Sequence, residues 1–465
     1  MAAVRVLSDD VGASARSSRE AARQLATSSA ADRDAALDRI AAALEADRDQ
    51  ILQANALDVE QGAALVTRGE LTQPLLQRLD LGGAKFDATV EMVRSVRAQP
   101  DPLWRTQSAT ELDTGLRLYR LSVPIGVLGV IFESRPDALV QIASLCLKSG
   151  NAVLLKGGRE AAATNQVLAQ TIATAAAGSG IPDGWITLLQ TRDDVRAMLS
   201  EEESIDLIIP RGSNEFVRYI MDNTKIPVMG HADGLCHVFV DVDADVGKAV
   251  RVAVDSKIQG VTTCCAAETL LVHAQVAERF FASAISEFAR KNVVLHGDER
   301  TIAAAGGTGV VAPATEADWS TEYLDYVLSV KVVDSLKEAI EHINHYGSHH
   351  TDSIVTENAA TAVDFLRRVD SASVFHNAST RFADGFRFGL GAEVGISTGR
   401  LHGRGPVGLE GLTTYKYLLH GDGQTVDDYE GTIRKPYSHG SLDTEWPAAK
   451  GSGVLGSKEE EGGGA

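Results

Sequence analysis

The sequence predicts an α/β protein in which parallel sheets carry helices on both faces. From Ile125 onward, short apolar runs alternate with helical segments, which is the pattern of consecutive βαβ units. Ala and Val supply much of the apolar content, while aromatic residues form only 5% of the chain, as is typical of layered α/β folds. At 465 residues and 44% hydrophobic content, the chain can form two or three domains.

The N-terminal region, from about Ser14 to Gln61, is predicted to be helical. Apolar residues recur there at spacings of three and four, with charges on the other face, through RDAALDRIAAALEADRDQIL. A more polar stretch follows. The alternation in LRLYRLSVP then predicts a strand or a hairpin arm.

Two α/β blocks follow the arm. The first has the strand-like runs GVLGVIFE, NAVLLKGG, WITLLQ, IDLIIPRGS and PVMGH. The second starts near His237 and has HVFVDVD, AETLLVH, NVVLHG, VLSVKVV and SIVTE. Beyond about Gly421 the chain is polar and Gly-rich, and we expect at least its last fifteen or so residues to be flexible.

Charge and cysteine content exclude several function classes. A net charge of -19 argues against duplex nucleic acid and anionic membranes as partners. Only 13 of the 44 basic residues are Lys, which fits either salt adaptation or a GC-rich genome. Four cysteines make no disulfide framework, and they lack metal-site spacing. Since no signal-peptide core or long apolar run is present, a cytoplasmic protein is expected.

The best nucleophile candidate lies in KIQGVTTCCAAETLLVH, where a loop presents Cys264 and Cys265 just before an apolar strand. A thiolate suits attack on an activated acyl carbon. The alternative is that both are small buried apolar residues, as free cysteines usually are. The residues alone do not choose between the two cysteines.

Two strand-to-helix turns indicate an anion or ribose site. LLKGGRE places Lys156, two glycines and Arg159 where a strand gives way to a helix, and IIPRGSNEF repeats the arrangement at Pro210 to Ser213. Each is also compatible with an ordinary turn. Because no GxGxxG follows a strand, a dinucleotide site here must be of another type.

A third candidate is the stretch from 375 to 416, which is rich in glycine, hydroxyls and arginine but has few acidic residues. The local basic excess indicates an anion pocket, and a solvated loop is the alternative. The nearby histidines lack metal-like spacing and are predicted to be surface residues: His345, His349 and His350.

With these segments established, the chain from roughly Ser14 to His420 resembles the γ-glutamyl phosphate reductase (glutamate γ-semialdehyde dehydrogenase) family of proline biosynthesis, in the aldehyde dehydrogenase superfamily. The resemblance rests on motifs in order: VPIGVLGVIFESRPDA, KGGREAAATN, IPRGSNEFVR, HADGLCHVFVD, CCAAETLLVH, DWSTEYLDYVLSVKVV, SASVFHNASTRFADG and FGLGAEVGIS. It implies a Rossmann-like cofactor domain without GxGxxG, an α/β catalytic domain and a small β-rich oligomerisation element.

The resemblance also assigns residues. Cys264 takes the nucleophile position, while Cys265 stands where many relatives have Asn. An arginine at 159, where NAD-preferring relatives often have Glu, favours NADPH over NADH because it can pair with a 2′-phosphate. Ser134 falls at or near the oxyanion-hole position, and His231 replaces the general-base Glu of hydrolytic relatives. The implied cofactor residues are Lys156, Gly157, Gly158, Arg159, Arg211, Gly212, Ser213 and Glu322, and the expected substrate residues are Arg135, Asn377, Ser379 and Arg381.

The expected reaction is NADPH-dependent reduction of L-glutamyl 5-phosphate to glutamate 5-semialdehyde and phosphate through a Cys264 thioester. The alternatives are a related dehydrogenase oxidising another semialdehyde, or an inactive relative. A homodimer or larger homo-oligomer is expected, with a separate glutamate kinase supplying the acyl phosphate. The expected divisions are 1–104 with 124–236 for the cofactor domain, 237–390 for the catalytic domain, 105–123 with 391–425 for the arm and C-terminal return, and 426–465 for the tail.

Overall fold

A computed structural model describes residues 6–8, 10–133, 135–212, 214–230, 233–307, 309–430 and 434–447. The chain starts with five helices: α1 Val11–Leu25, α2 Ala30–Ala46, α3 Arg48–Thr67, α4 Gln73–Leu79 and α5 Ala84–Ala98. Ser29 and Asp32 form a capping box that satisfies two backbone N–H groups where α2 begins. The helices predicted up to Gln61 are confirmed, whereas α4 and α5 lie in the polar stretch for which no helix was predicted.

The arm and the first parallel sheet come next. In chain order the elements are β1 Thr106–Asp113, β2 Leu116–Pro124, β3 Val127–Ile131, α6 Pro136–Lys148, β4 Ala152–Lys156, α7 Ala162–Ala177, β5 Ile186–Leu189, α8 Arg192–Leu199, β6 Leu207–Pro210 and α9 Asn214–Asp222. β1 and β2 pair as an antiparallel hairpin. The other strands form a parallel sheet in the order β5-β4-β3-β6. Each of them lies in one of the predicted apolar runs.

The second block is a seven-stranded parallel sheet in the order β10-β9-β11-β8-β7-β12-β13. Its elements are β7 Cys236–Val240, α10 Val246–Ile258, β8 Ala267–His273, α11 Ala274–Arg290, β9 Val294–Gly297, α12 Glu299–Ala304, β10 Ala312–Pro313, β11 Val327–Val333, α13 Leu336–Tyr346, β12 Thr351–Val355, α14 Ala359–Arg368 and β13 Ser373–His376. Because side chains alternate along a strand, Val238 and Val240 join one core while Phe239 joins another. Helices therefore cover both faces, and the predicted fold class is confirmed.

The C-terminal segment returns to the other parts of the fold. It contains β14 Ile396–Ser397, β15 Gly405–Pro406, β16 Thr413–His420 and β17 Gly440–Leu442. The arm becomes an antiparallel sheet in the order β16-β2-β1-β17. Trp446 stacks on Trp104 with ring centroids 5.7 Å apart, so part of the polar tail packs on this sheet.

The largest core surrounds the first sheet. It joins the N-terminal helices to the first-sheet strands, and it also includes residues of the C-terminal return: Ala392, Val394, Val407, Leu409 and Leu412. Residues 391–412 therefore cover the first sheet, while β16 belongs to the arm. Within the described part of the chain, no helix combines the length and apolar character needed to span a bilayer.

Asn55 on α3 fixes the turn between α4 and α5. Its buried amide donates to the carbonyl of Leu79 (2.9 Å) and accepts from the N–H of Leu81 (2.8 Å). One turn later, Asp58 accepts from the backbone N–H of Thr164 (2.7 Å), near the start of α7. Helix α3 thus anchors α4, which matters because α4 carries Arg78 towards the site described below.

Replacing Asn55 with alanine should loosen the α4–α5 turn. The change leaves a buried carbonyl and a buried N–H unpaired, so amide exchange in peptides covering 79–85 should accelerate by about tenfold or more. Hydrogen–deuterium exchange measures this. Gln53→Ala, exposed on the same helix, is the matched control and should leave exchange unchanged. Equal exchange in the two variants would contradict the role of Asn55.

Candidate active site

The first sheet has a crevice at the carboxyl ends of its strands. The chain order reverses at β3, with β4 on one side and β6 on the other. Ile131 pairs with both Lys156 and Pro210, so the residues that follow these three strands meet at one edge. Ligands of open α/β sheets bind at such a switch point.

Glycines and Lys156 make this crevice suitable for a dinucleotide. A Cβ on Gly212 would lie 3.1 Å from side-chain atoms of Glu133 and Phe216, and one on Gly157 would lie 2.2 Å from the amide nitrogen of Asn165. The backbone therefore lies unusually close to its neighbours there. The Lys156 ammonium donates to the carbonyl of Gly157, and burial lowers its pKa. These strand ends, followed by the start of α9, fit a nicotinamide dinucleotide with its pyrophosphate over the crevice.

Two arginines follow the strands on the outer side of the crevice. Arg159 and Arg192 each come three residues after paired strand ends, Lys156 and Leu189. Both are exposed, and neither forms an ion pair with another described residue. Arg192 contributes to lowering the pKa of Lys156, after burial as the main cause, so it lies within electrostatic reach of that ammonium. Sequence reasoning missed Arg192, although its position just after the WITLLQ strand was a usable signal.

Cys264 lies in a tight turn between α10 and β8, at the amino-terminal edge of the second sheet. Thr263 donates to the carbonyl of Gly260 through its hydroxyl (2.6 Å). A Cβ on Gly234 would lie 2.3 Å from the carbonyl oxygen of Cys264, and the Cys236 thiol donates to that same oxygen (3.2 Å). The segment before β7 therefore supports the backbone of Cys264 directly.

The two adjacent cysteines differ in environment. Cys264 is half-buried and Cys265 is buried. The guanidinium of Arg381 contacts the sulfur of Cys265, and its Nε donates to the carbonyl of Gln259 (2.6 Å). Cys265 is thereby fixed inside the turn, which leaves Cys264 as the more accessible thiol.

Glu322 connects the thiol turn to the crevice. One oxygen of its carboxylate accepts from the N–H of Gly234 (3.0 Å) and the other from the Asn214 amide (3.2 Å) at the start of α9. Its segment is anchored by the N–H of Leu324, which donates to Glu268 (3.3 Å). Glu268 in turn forms a fully buried ion pair with Lys257 (2.6 Å). Glu322 therefore lies where the two parts of the site meet.

The electrostatic surroundings of Cys264 oppose its ionisation. Burial, followed by the carboxylates of Glu393 and Glu322, raises the pKa of this thiol to about 12, while Arg211 and Arg381 act in the opposite direction. The thiol is thus protonated near neutral pH.

Further cations lie near the thiol. Arg135 and Arg211, both singled out from the sequence, are electrostatically coupled to Cys264. Arg78, which sequence reasoning missed, donates to the carbonyl of Thr262 (2.5 Å), two residues before Cys264. No sequence signal identifies Arg78, because only the packing of α4 brings it to the turn.

Other expected site residues make internal contacts. The Asn377 amide exchanges two hydrogen bonds with the backbone of Thr356 (both 3.0 Å). Ser379 accepts from Ser256 (3.2 Å) and from the N–H of Arg381 (3.3 Å), so it supports the turn. Ser134, Ser213 and His231 lie outside the described residues.

The basic stretch from 375 to 416 does not converge on one pocket. Arg381 reaches the thiol turn, whereas Arg400 and Arg404 both bond to Asp370. The prediction that His350 is a surface residue was wrong: its side chain is fully buried and lies 3.6 Å from the sulfur of Cys236. It is buried because it directly precedes β12, a strand inside the second sheet.

The fold and this crevice define a member of the aldehyde dehydrogenase family. The model of that family matches residues 3–306, and the family uses a nicotinamide cofactor. A chain described as an engineered glycolyl-CoA reductase with bound NADP+ shares the fold at 16% identity, with a TM-score of 0.62 over 90% of this chain and 98% of that one.

Relatives with higher sequence identity show which kind of aldehyde dehydrogenase the chain is. A γ-glutamyl phosphate reductase of Natronomonas pharaonis is 54% identical over 92% of this chain and 96% of its own. One of Acetivibrio thermocellus is 53% identical over 92% and 97%. The crystal structure of the γ-glutamyl phosphate reductase from Thermotoga maritima matches with a TM-score of 0.85 at 40% identity, covering 90% of this chain and all of that one. Within the aldehyde dehydrogenases, the chain belongs to the γ-glutamyl phosphate reductases.

The raised thiol pKa predicts how Cys264 reacts with iodoacetamide. Because only the thiolate is alkylated, the rate at Cys264 should rise about tenfold per pH unit between pH 7 and 9. Glu393→Gln removes the leading carboxylate that opposes ionisation and should speed alkylation severalfold at fixed pH. Peptide mass spectrometry measures both, with the exposed Glu410→Gln as control. A rate that levels off below pH 8 would contradict the prediction.

Proposed function

We propose that this chain reduces L-glutamyl 5-phosphate to glutamate 5-semialdehyde and inorganic phosphate, with NADPH as cofactor and Cys264 as nucleophile. The observation that carries the proposal is the placement of a half-buried thiol beside a dinucleotide crevice, joined to it by the Glu322–Asn214 hydrogen bond (3.2 Å). The proposed substrate follows from the relatives, which are named γ-glutamyl phosphate reductases.

The chemistry assigned to Cys264 has two stages. The Cys264 thiol passes its proton to a phosphate oxygen of the substrate as its sulfur attacks the γ-carbonyl carbon. A carbon–sulfur bond forms, and the carbon–oxygen bond to phosphate breaks with its electron pair leaving on the phosphate. When bound, the cofactor supplies a hydride to the resulting acyl carbon. The carbon–sulfur bond then breaks, which releases the aldehyde and returns the sulfur of Cys264.

Stabilisation of charge on the carbonyl oxygen is assigned to backbone N–H groups of the thiol turn, together with Ser134. His231 takes the place of the glutamate base of hydrolytic relatives, which keeps water from being activated against the thioester. The acyl group on Cys264 then persists for reduction or for attack by phosphate.

NADPH is assigned to the crevice by its strand-end residues. Lys156 and Glu322 bind ribose hydroxyls, and the turns at Gly157–Gly158 and at Gly212–Ser213 accommodate the pyrophosphate. Arg159 and Arg192 face a 2′-phosphate, because both are exposed cations without an ion pair among the described residues. These arginines support a preference for NADPH over NADH.

The assembly proposed is a homodimer or a larger symmetric oligomer formed through the arm. β16 is the edge strand of its sheet, and Tyr415, Tyr417 and Leu419 on one face of it are 46%, 59% and 59% exposed. An exposed apolar edge strand requires a covering partner.

A separate glutamate kinase supplies the acyl phosphate, and the cytoplasm provides the reducing conditions that keep four thiols free.

Cys264→Ser should lower reduction of the acyl phosphate by at least about 10³-fold, as loss of a catalytic nucleophile does. Cys265→Ser is the matched control and should retain most activity. The assay is the phosphate-dependent reduction of NADP+ with glutamate 5-semialdehyde, combined with mass detection of an acyl group on Cys264. Near-normal turnover by Cys264→Ser would remove this cysteine from the mechanism. Turnover that needs no phosphate would favour a dehydrogenase acting on another semialdehyde.

Arg159→Met and Arg192→Met should each weaken NADPH binding by about tenfold, the equivalent of one charge-assisted hydrogen bond. NADH affinity should be unchanged, because NADH has no 2′-phosphate. Fluorescence titration of the full-length protein measures both dissociation constants. Arg196→Met, exposed on the same helix as Arg192, is the control. Equal losses for NADPH and NADH would contradict a 2′-phosphate contact.

A further inference from the structure

Three arginines from distant parts of the chain are gathered around Cys264. The guanidinium of Arg78 reaches the thiol turn, where it donates to the carbonyl of Thr262 (2.5 Å). Arg135 directly precedes α6 and donates to Asp137 (2.9 Å). Arg211 directly follows β6, and its backbone N–H donates to the carbonyl of Ile131 (2.7 Å). All three guanidinium groups are electrostatically coupled to the Cys264 thiol.

Acidic groups compensate this cluster only in part. Asp137 raises the pKa of Arg135. Burial and then the charge of Arg135 lower the pKa of Arg211, against the opposing carboxylates of Glu393 and Asp137. The same two causes lower the pKa of Arg78, where Asp137 and Glu133 act in the opposite direction. In a chain of net charge -19, cations that repel each other at a nucleophile indicate a site shaped for an anion.

The side chain of Arg211 also has an unused donor. Its Nη1 is enclosed and makes no hydrogen bond with any described residue. A buried donor without a partner is costly, and such groups are rare unless a ligand completes them. The guanidinium lies beside Gly395, where a Cβ would be 3.9 Å from its Nε.

The couplings of Arg211 place it on the thiol side of the crevice. Its strongest charge interactions are with Arg135, Glu393, Asp137 and Cys264. This distinguishes it from Lys156, whose neighbours are Glu160, Asp194 and Arg192. The resemblance implied a cofactor role for Arg211, whereas its charge interaction with Cys264 favours a role at the reacting carbon.

We infer that Arg78, Arg135 and Arg211 form an orthophosphate subsite beside Cys264, which holds the phosphate that leaves the acyl phosphate and the phosphate that attacks the thioester in the reverse direction. The inference rests on the proposed function and names residues for its phosphate step. Negative charge grows on the departing phosphate as the carbon–oxygen bond breaks. Guanidinium groups therefore stabilise the transition state of this step more than they stabilise the bound substrate. Each planar guanidinium can donate two parallel hydrogen bonds to two oxygens of one phosphate.

The test separates formation of the acyl enzyme from its phosphorolysis. Wild-type protein is mixed rapidly with NADP+ and glutamate 5-semialdehyde in phosphate-free buffer, which should give a single-turnover burst of NADPH, and added phosphate should start steady turnover. Arg211→Met is expected to keep the burst amplitude and to raise the KM for phosphate by at least tenfold. Arg211→Lys should recover part of that loss because it restores the charge. Arg400→Met, which removes an exposed arginine from the basic stretch, should leave the KM unchanged.

A second readout does not depend on turnover. Calorimetric titration of Cys264→Ser protein with inorganic phosphate should show binding that weakens by at least tenfold when Arg211→Met is added, while the dissociation constant of NADPH stays the same. An unchanged KM and affinity for phosphate in Arg211→Met would overturn the subsite, as would a loss confined to NADPH binding. Absence of the burst in wild-type protein would instead refute the Cys264 thioester, so the two failures are distinguishable.

Discussion

The hydrogen bonds of Glu322 are the interaction on which the rest of the site depends. The carboxylate joins the Gly234 backbone, which supports Cys264, to Asn214, which starts the helix after the last strand of the first sheet. The carboxyl edge of one parallel sheet and the amino edge of the other are thereby fixed against each other. Hydride chemistry requires this, because a donor and an acyl carbon react only when they are held in a narrow range of positions.

The buried Lys257–Glu268 pair supports that junction. Glu268 holds the backbone of Leu324, two residues after Glu322, and is itself neutralised by Lys257. Burial raises the pKa of Glu268 to about 7 and lowers that of Lys257, so neither charge would be tolerated alone. This buried ion pair lies behind the site, where it fixes the position of the loop that carries Glu322.

Charge is distributed unevenly over the protein. The overall excess of acid is broad, yet arginines gather at two places, one at the outer end of the crevice and one around the thiol. The first pair is exposed and follows two neighbouring strands. The second group is half-buried, and its members lie on α4, just before α6 and just after β6. The two ends of the site are therefore suited to different anions. The exposed end suits a phosphate group that stays in solvent, and the half-buried end suits a phosphate that is released at the reaction centre.

The sequence by itself determined β2, the four strands of the first parallel sheet, five strands of the second and the location of the thiol turn, because period and turn chemistry are local properties. It did not predict β1, β10 or β13 to β17, and the run PVMGH forms only an isolated bridge at Val228. The strand-to-helix turn pointed to Lys156, and the family resemblance pointed to Cys264 and Glu322. The tertiary structure alone decided which thiol is accessible, since Arg381 and Cys265 meet only after folding. It likewise brought Arg78 to the turn, buried His350, and turned Asn377 towards the backbone of Thr356. Contacts between residues far apart in sequence depend on how helices and sheets pack, and no local pattern records them.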